Sequence, residues 1–203
     1  MSLLKLINKF KAPQQSGEIG LTGANPSGDT PKIDKRAYVD PTARIIGNVH
    51  IGRGCYVGPY AVIRADEASE DGKVAPIIIG EETNLQDGVI VHSLAGSEVK
   101  IGRRCSVAHG AVIHGPCTIG DGSFIGFRSV VFKSTLEESV FVSTGAVVEG
   151  VRLERGESVG SGISVLTQQD VFTMAGKTSD EQKAFMEKVV NVNVKLAEGY
   201  SRA

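Results

Sequence analysis

The chain has 203 residues and a formal net charge of −1 at pH 7. That balance offers no attraction for nucleic acid or an anionic membrane, and no apolar run is long enough to span a bilayer. The length fits one domain, or one domain with appendages.

Residues 1–11, M-S-L-L-K-L-I-N-K-F-K, are basic and mildly amphipathic. They read as a short surface helix that docks on its own assembly or on a partner. They lack the apolar core and small-residue cleavage site of a secretory signal. Residues 12–32 are rich in Pro, Gly, Ser, Asn and Thr, the composition of a linker without a core of its own. Residues 1–32 together read as an N-terminal arm.

A repeat then begins. At every sixth position stand Val39, Ile45, Ile51, Val57 and Ile63; then Ile79, Leu85 and Val91; then Ile101, Val107, Ile113, Ile119, Ile125 and Val131. The run slips by one residue to Leu136, Val142 and Val148, and again to Leu153, Val159 and Val165. A sustained six fits neither a helix nor an alternating strand. It fits a coil of short strands, each with one aliphatic side chain inward. The pattern resembles the left-handed, triangular parallel β-helix of hexapeptide repeats, with about eighteen residues per coil. The expected fold is mainly β: a left-handed β-helix over residues 33–168, then a C-terminal segment, 169–203.

Cys55, Cys105 and Cys117 each stand two before an inward aliphatic residue. A shared repeat position suits small packing residues in reduced form, which favours a cytoplasmic setting. Phe124, Phe127 and Phe132 are expected to close apolar surface, near a site or at a seam between chains. An α-helix is expected over about 179–198. Ser179 with Gln182 resembles a capping box, and Phe185, Val189, Val192 and Leu196 form an apolar stripe. Asn193 lies at its border.

The register places the histidines. Two gaps, 63 to 79 and 91 to 101, read as sides carrying a corner loop. Val91 to Ile113 is then one coil, so His92 and His114 stack, with Arg64 one rung below. His109 follows Val107 by two residues, on another side, above Gln86 and Asp87. Two sides of one prism cannot easily put three imidazoles on one metal, but two prisms face to face can. Such a heterologous contact must close into a ring, and a triangular prism suggests a homotrimer. Three neutral imidazoles with an open fourth position make a catalytic zinc site, where bound water becomes a hydroxide nucleophile near neutral pH. Iron or cobalt also suits imidazole. His50 stands at a different phase and reads as a solvated surface residue.

Several motifs carry a resemblance: Ile63-Arg64-Ala65-Asp66-Glu67, residues 84–92 (N-L-Q-D-G-V-I-V-H), residues 107–116 (V-A-H-G-A-V-I-H-G-P) and residues 119–126 (I-G-D-G-S-F-I-G). With the tail at 192–200, they resemble the gamma-class carbonic anhydrases over about residues 33–200. The resemblance implies a homotrimer with a metal at each subunit interface, His92 and His114 from one chain and His109 from the next. It implies reversible hydration of carbon dioxide to bicarbonate by a metal-bound hydroxide. Gln86 would hydrogen-bond that hydroxide, and Asn84 would support the polar patch. Arg64 would pair with Asp87 across the interface and with Asp66 in its own chain. Asn193 would position carbon dioxide or bicarbonate.

Two departures stand out. Residues 93–100 are short and hold Glu98 as their one acid, which resembles the branch lacking a long acidic loop. Residues 68–75, after Glu67, form a longer, acidic segment. Glu67 is therefore the expected proton relay, with Glu70 or Asp71 as helpers. Two other readings remain: a non-catalytic scaffold of the same fold, and a hexapeptide acyltransferase with a single histidine as general base.

Overall fold

A computed structural model of the protein describes residues 21–202. The helix expected in residues 1–11 lies outside them. The sixth-residue aliphatics can leave water only if the chain turns a corner between successive short strands, and it does. Each coil contributes one strand to each of three sheets, of eight, seven and eight strands. Among the described residues all strand pairs are parallel except Glu157–Val159 with Gly176–Lys177, which closes one sheet antiparallel. The three faces enclose a single core.

Register follows the period. On the first face Ile45, Ile63, Val91, Ile113, Val131, Val148 and Val165 stack in one column. The second face stacks Ile51, Ile79, Ile101, Ile119, Leu136 and Leu153. The third stacks Val57, Leu85, Val107, Ile125, Val142 and Val159. All are buried. Each such side chain contributes about 1.5–3 kcal/mol by leaving water, and the columns make those gains continuous along the axis. The two one-residue slips are five-residue sides. They turn through left-handed residues, Lys133 (φ 49°) and Gly150 (φ 67°).

The coil starts before residue 33. Thr22–Gly23 pairs with Arg44–Gly47 on the first face, Leu21 packs against the core, and buried Asn25 donates to the Ala65 carbonyl at 3.1 Å. A two-residue strand in a Gly- and Asn-rich stretch carries too little periodicity to show in the sequence.

Two helices follow the coil. Helix α1, Gln168–Met174, was not expected. A capping box between Thr167 and Asp170 starts it, and its buried Val171 packs on the core. Helix α2, Asp180–Tyr200, starts at the Ser179–Gln182 capping box. Its buried stripe is Met186, Val190, Asn193 and Ala197, one residue along from the expected Phe185, Val189, Val192 and Leu196. Phe185, Val192 and Leu196 are exposed in the single chain. Ala197 is fully buried, and Met186 reaches a separate cluster of Ala108, Phe124 and Phe141. Among the described residues no helix is long and apolar enough to cross a membrane.

Candidate metal centre

The site residues stand on two faces of the prism. On the first, Arg64, His92, His114 and Phe132 occupy one column on successive strands. On the third, Gln86 and Asp87 follow the strand Asn84–Leu85, and His109 follows Ser106–Val107 directly above it. Gly110 makes the corner after His109 with φ +70°, a conformation that L side chains adopt at a cost. The corner directs His109 outward.

His92 and His114 touch. His92 Nδ1 lies 3.1 Å from His114 Nε2. The other nitrogen of each ring faces an acceptor: His92 Nε2 is 3.3 Å from Asp66 Oδ1 and 3.6 Å from Glu67 Oε1, and His114 Nδ1 is 3.2 Å from the Gly115 carbonyl. A neutral imidazole carries one N–H. With those protons placed on the acceptors, the two facing nitrogens are both lone pairs. In that tautomer pair both nitrogens can bind one cation; with the proton of either ring shifted, the same contact is an N–H···N hydrogen bond. Nitrogens sharing a tetrahedral zinc at its usual bond length lie about 3.3 Å apart, close to the observed spacing. The pair therefore fits a metal ion.

The carboxylates around it are tied down. Arg64 Nη1 donates to Asp66 Oδ2 at 2.6 Å, so Asp66 bridges the guanidinium and His92. Glu67 Oε2 accepts from the Ala95 N–H at 3.2 Å and keeps 43% of its side chain exposed. Asp87 does not meet Arg64 within the chain. Its Oδ2 lies 3.5 Å from His109 Nδ1.

On the third face a cavity of about 300 Å³ is lined by Tyr56, Gln86, Asp87, His109, Asn193 and Leu196. The polarity of Gln86 follows from its neighbours. Asn84 Nδ2 donates to the Cys105 carbonyl and to Ser106 Oγ. A carbonyl can only accept, so the Asn84 amide is fixed, and its Oδ1 accepts from Gln86 Nε2 at 3.0 Å. That leaves Gln86 Oε1 as a free acceptor. Asn193, expected at the border of the helical stripe, is buried and donates to the Val189 carbonyl at 2.9 Å. Tyr56 is the lining residue that sequence reasoning missed. It stands one coil below Asn84 and pairs with it, so the same register count reaches it. Burial, then the Asp87 charge, pushes its hydroxyl up to about 12.

Among the described residues of one chain, no group of three His, Cys, Asp or Glu side chains could hold a metal ion. His109 stands on a different face from the His92–His114 pair. His50 is half-buried rather than solvated, with Nε2 3.2 Å from Asn48 Oδ1. The aromatic residues divide. Phe124 stacks on Phe141 and meets Phe185 of α2, whereas Phe127 and Phe132 lie against His109 and His114.

The chain is 36% identical over 200 residues to the carbonic anhydrase of Methanosarcina thermophila, covering 89% of this chain and 78% of that one. The chain belongs to the gamma-class carbonic anhydrase family. Within this gamma-class frame, the family model for bacterial transferase hexapeptide (six repeats) matches residues 30–65 and 98–133. A second relative is the carboxysome assembly protein CcmM of a Nostoc species, 36% identical over 83% of this chain. This gamma-class chain spans only 31% of CcmM's length. A solved hexapeptide transferase family protein from Anaplasma phagocytophilum has a TM-score of 0.72 at 25% identity, over 89% of this chain and 98% of that one.

Proposed function

We propose that the protein is a carbonic anhydrase, active as a homotrimer, in which His92 and His114 of one chain and His109 of the next hold a metal ion. The observation that carries this reading is the approach of His92 Nδ1 to His114 Nε2 at 3.1 Å, near the spacing of two nitrogens on one tetrahedral zinc. His109, with its Nδ1 beside Asp87, leaves Nε2 for a third bond from another chain. Zinc is the proposed ion, with iron(II) or cobalt(II) as alternatives, and when bound it supplies a Lewis acid that makes water nucleophilic near neutral pH.

The chain's own groups do the rest. Gln86 Oε1 accepts a hydrogen bond from the attacking water or hydroxide and so aims its lone pair at the carbon of carbon dioxide. Asn193 offers its amide to a substrate oxygen, and Leu196 gives the cavity an apolar wall. Asp66 holds the His92 ring, and Arg64 holds Asp66. Asp87 orients His109 and is free to meet Arg64 of a neighbouring chain. Glu67, beside His92 and open to solvent, takes the proton away to buffer. Three free cysteines support a reducing, cytoplasmic setting.

The test is stopped-flow carbon dioxide hydration on protein purified without oxygen and reconstituted with zinc or iron, beside His109→Ala. Activity in the wild type and its loss in the variant support the interfacial site. A second reading is favoured by the similarity to CcmM: an assembly part that keeps the fold without turnover. Bound metal with no hydration in either preparation selects it. Acetyl-CoA binding without metal selects an acyltransferase instead.

A further inference from the structure

Two phenyl rings lie against the site histidines in a repeated arrangement. Phe132 stands one rung above His114 in the same column, and the ring centroids are 5.3 Å apart at 85°. Phe127 stands one coil above His109, its ring parallel to the imidazole at 5.6 Å and 4°. In both cases the aromatic residue comes eighteen positions after the histidine.

Neither phenyl packs in the core. The two hydrophobic clusters contain neither Phe127 nor Phe132, and Phe127 is 40% exposed. Phe124, three residues before Phe127, does join a cluster, with Ala108, Phe141 and Met186. The Lys133 ammonium sits 5.0 Å from the Phe132 ring centroid. Below the histidines the neighbours are polar. Asp87 lies under His109, and Asp66 and His92 lie on the Arg64 side of the pair. Each histidine column is thus carboxylate below and aromatic above. Gly126, just before Phe127, is closely overlaid by the next coil: a Cβ there would lie 2.5 Å from the Ser143 carbonyl carbon.

We propose that Phe127 and Phe132 are positioning residues for the metal site, fixing the ring planes of His109 and His114 so that their nitrogens meet one ion. The inference rests on the metal reading above. An imidazole fixed on one nitrogen by a carboxylate or carbonyl can still swing about that contact. A ring against its face or edge removes the swing. Outer neighbours that orient metal ligands are worth about 10- to 100-fold in metal affinity. Quadrupolar ring contacts are directional, so a branched aliphatic side chain of similar bulk does not replace them.

The experiment uses the full chain with cobalt(II) as the probe. Wild type, Phe132→Leu, Phe127→Leu, Phe127→Tyr and Phe124→Leu are compared. Readouts are the cobalt visible absorption bands, zinc affinity by chelator competition, oligomeric state and melting temperature. Leucine keeps apolar bulk for a seam between chains, so the Leu variants are expected to keep the wild-type oligomeric state. Phe132→Leu and Phe127→Leu are expected to shift or broaden the cobalt bands and to weaken zinc about 10- to 100-fold. Phe127→Tyr, which keeps the stacked ring, should restore the wild-type spectrum. Phe124→Leu should lower the melting temperature and leave bands and affinity unchanged. Wild-type bands and affinity in both Leu variants overturn the proposal. So does equal weakening in Phe124→Leu, which would mark a general loss of packing. A wild type without cobalt bands overturns the metal reading and the inference with it; bands in the wild type beside unaltered variants overturn the inference alone.

Discussion

His92 Nδ1 and His114 Nε2 face each other at 3.1 Å across one coil, and each ring has an acceptor for the proton on its other nitrogen. The coil period made this contact: residues after Val91 and Ile113 stack because Val91 and Ile113 do. An N–H of one ring or a metal ion satisfies this contact, and the carboxylates of Asp66 and Glu67 on the far side of His92 favour a cation. His114→Ala should therefore abolish metal uptake, from about one ion per chain to below a tenth of that after desalting. His109→Ala should do the same, although it lies on another face. Metal analysis beside gel filtration checks both. Uptake unaffected by His109→Ala would confine any ion to the His92–His114 pair. At zinc about 100-fold above its Kd, the wild type should gain about 2.7 kcal/mol, and chelation should remove it.

Gln86 presents a free acceptor because the amide of Asn84 is fixed by a carbonyl. Gln86→Leu keeps the bulk and removes the acceptor. It should lower kcat/KM for hydration about 10²-fold while zinc content stays at the wild-type level. Asn84→Leu should have a smaller effect on rate and a larger one on melting temperature, since it strands Ser106 and Cys105 in the interior. Equal rates for Gln86→Leu and wild type would remove Gln86 from the chemistry.

The aliphatic columns, the stacking of His92 on His114 and the start of α2 were legible in the chain because each rests on a short-range rule: a period of six, or a serine three residues before a glutamine. The face of α2 was not. Phe185, Val189, Val192 and Leu196 look like the buried stripe by hydropathy, but in the single chain Met186, Val190 and Ala197 are the buried apolar residues, with Val189 packed beside them. Helix α1 has only seven residues, too few for an apolar period to stand out. Tyr56 was within reach of the count that put Arg64 under His92, but a lone tyrosine in the repeat carries no signal that marks it as lining a site. The roles of Phe127 and Phe132 depend on ring orientations, which no spacing encodes.

The three thiols predict an alkaline limit to stability. Burial pushes the Cys55, Cys105 and Cys117 thiols up to about 12, well above the ordinary thiol range. The unfolded chain loses these protons near pH 9 and the folded chain holds them, so above pH 9 the unfolded state binds fewer protons. By linkage the contribution is complete below pH 9 and is lost as pH rises toward 12. Melting temperature should be flat with respect to the thiols from pH 6 to 8 and fall above 9, and Cys105→Ala should flatten the fall. Iodoacetamide should leave the native thiols unmodified at pH 8 and label them in denaturant. Rapid native labelling would mean that the coil opens locally.

Glu67 is open to solvent, as a proton relay must be, and stands at the His92 edge turned away from His114, so a bridging water must carry the proton to it. It lies within 3.6 Å of His92, and nearly half of its side chain is open to solvent. The Ala95 N–H holds one of its oxygens, which ties the carboxylate to the short segment between His92 and Val99–Ile101. That segment has Glu98 as its one acid, so Glu67 has no second carboxylate there to share the task. Glu67→Gln keeps the size and the backbone contact and removes the proton acceptor. In dilute, weak buffer its turnover should fall about 10-fold or more, and a high concentration of a small imidazole buffer should restore it, because buffer then accepts the proton directly. The KM for carbon dioxide and the zinc content should not change. Turnover equal to wild type in weak buffer would exclude Glu67 as the relay. A loss that buffer cannot rescue would assign it instead to holding His92 in place.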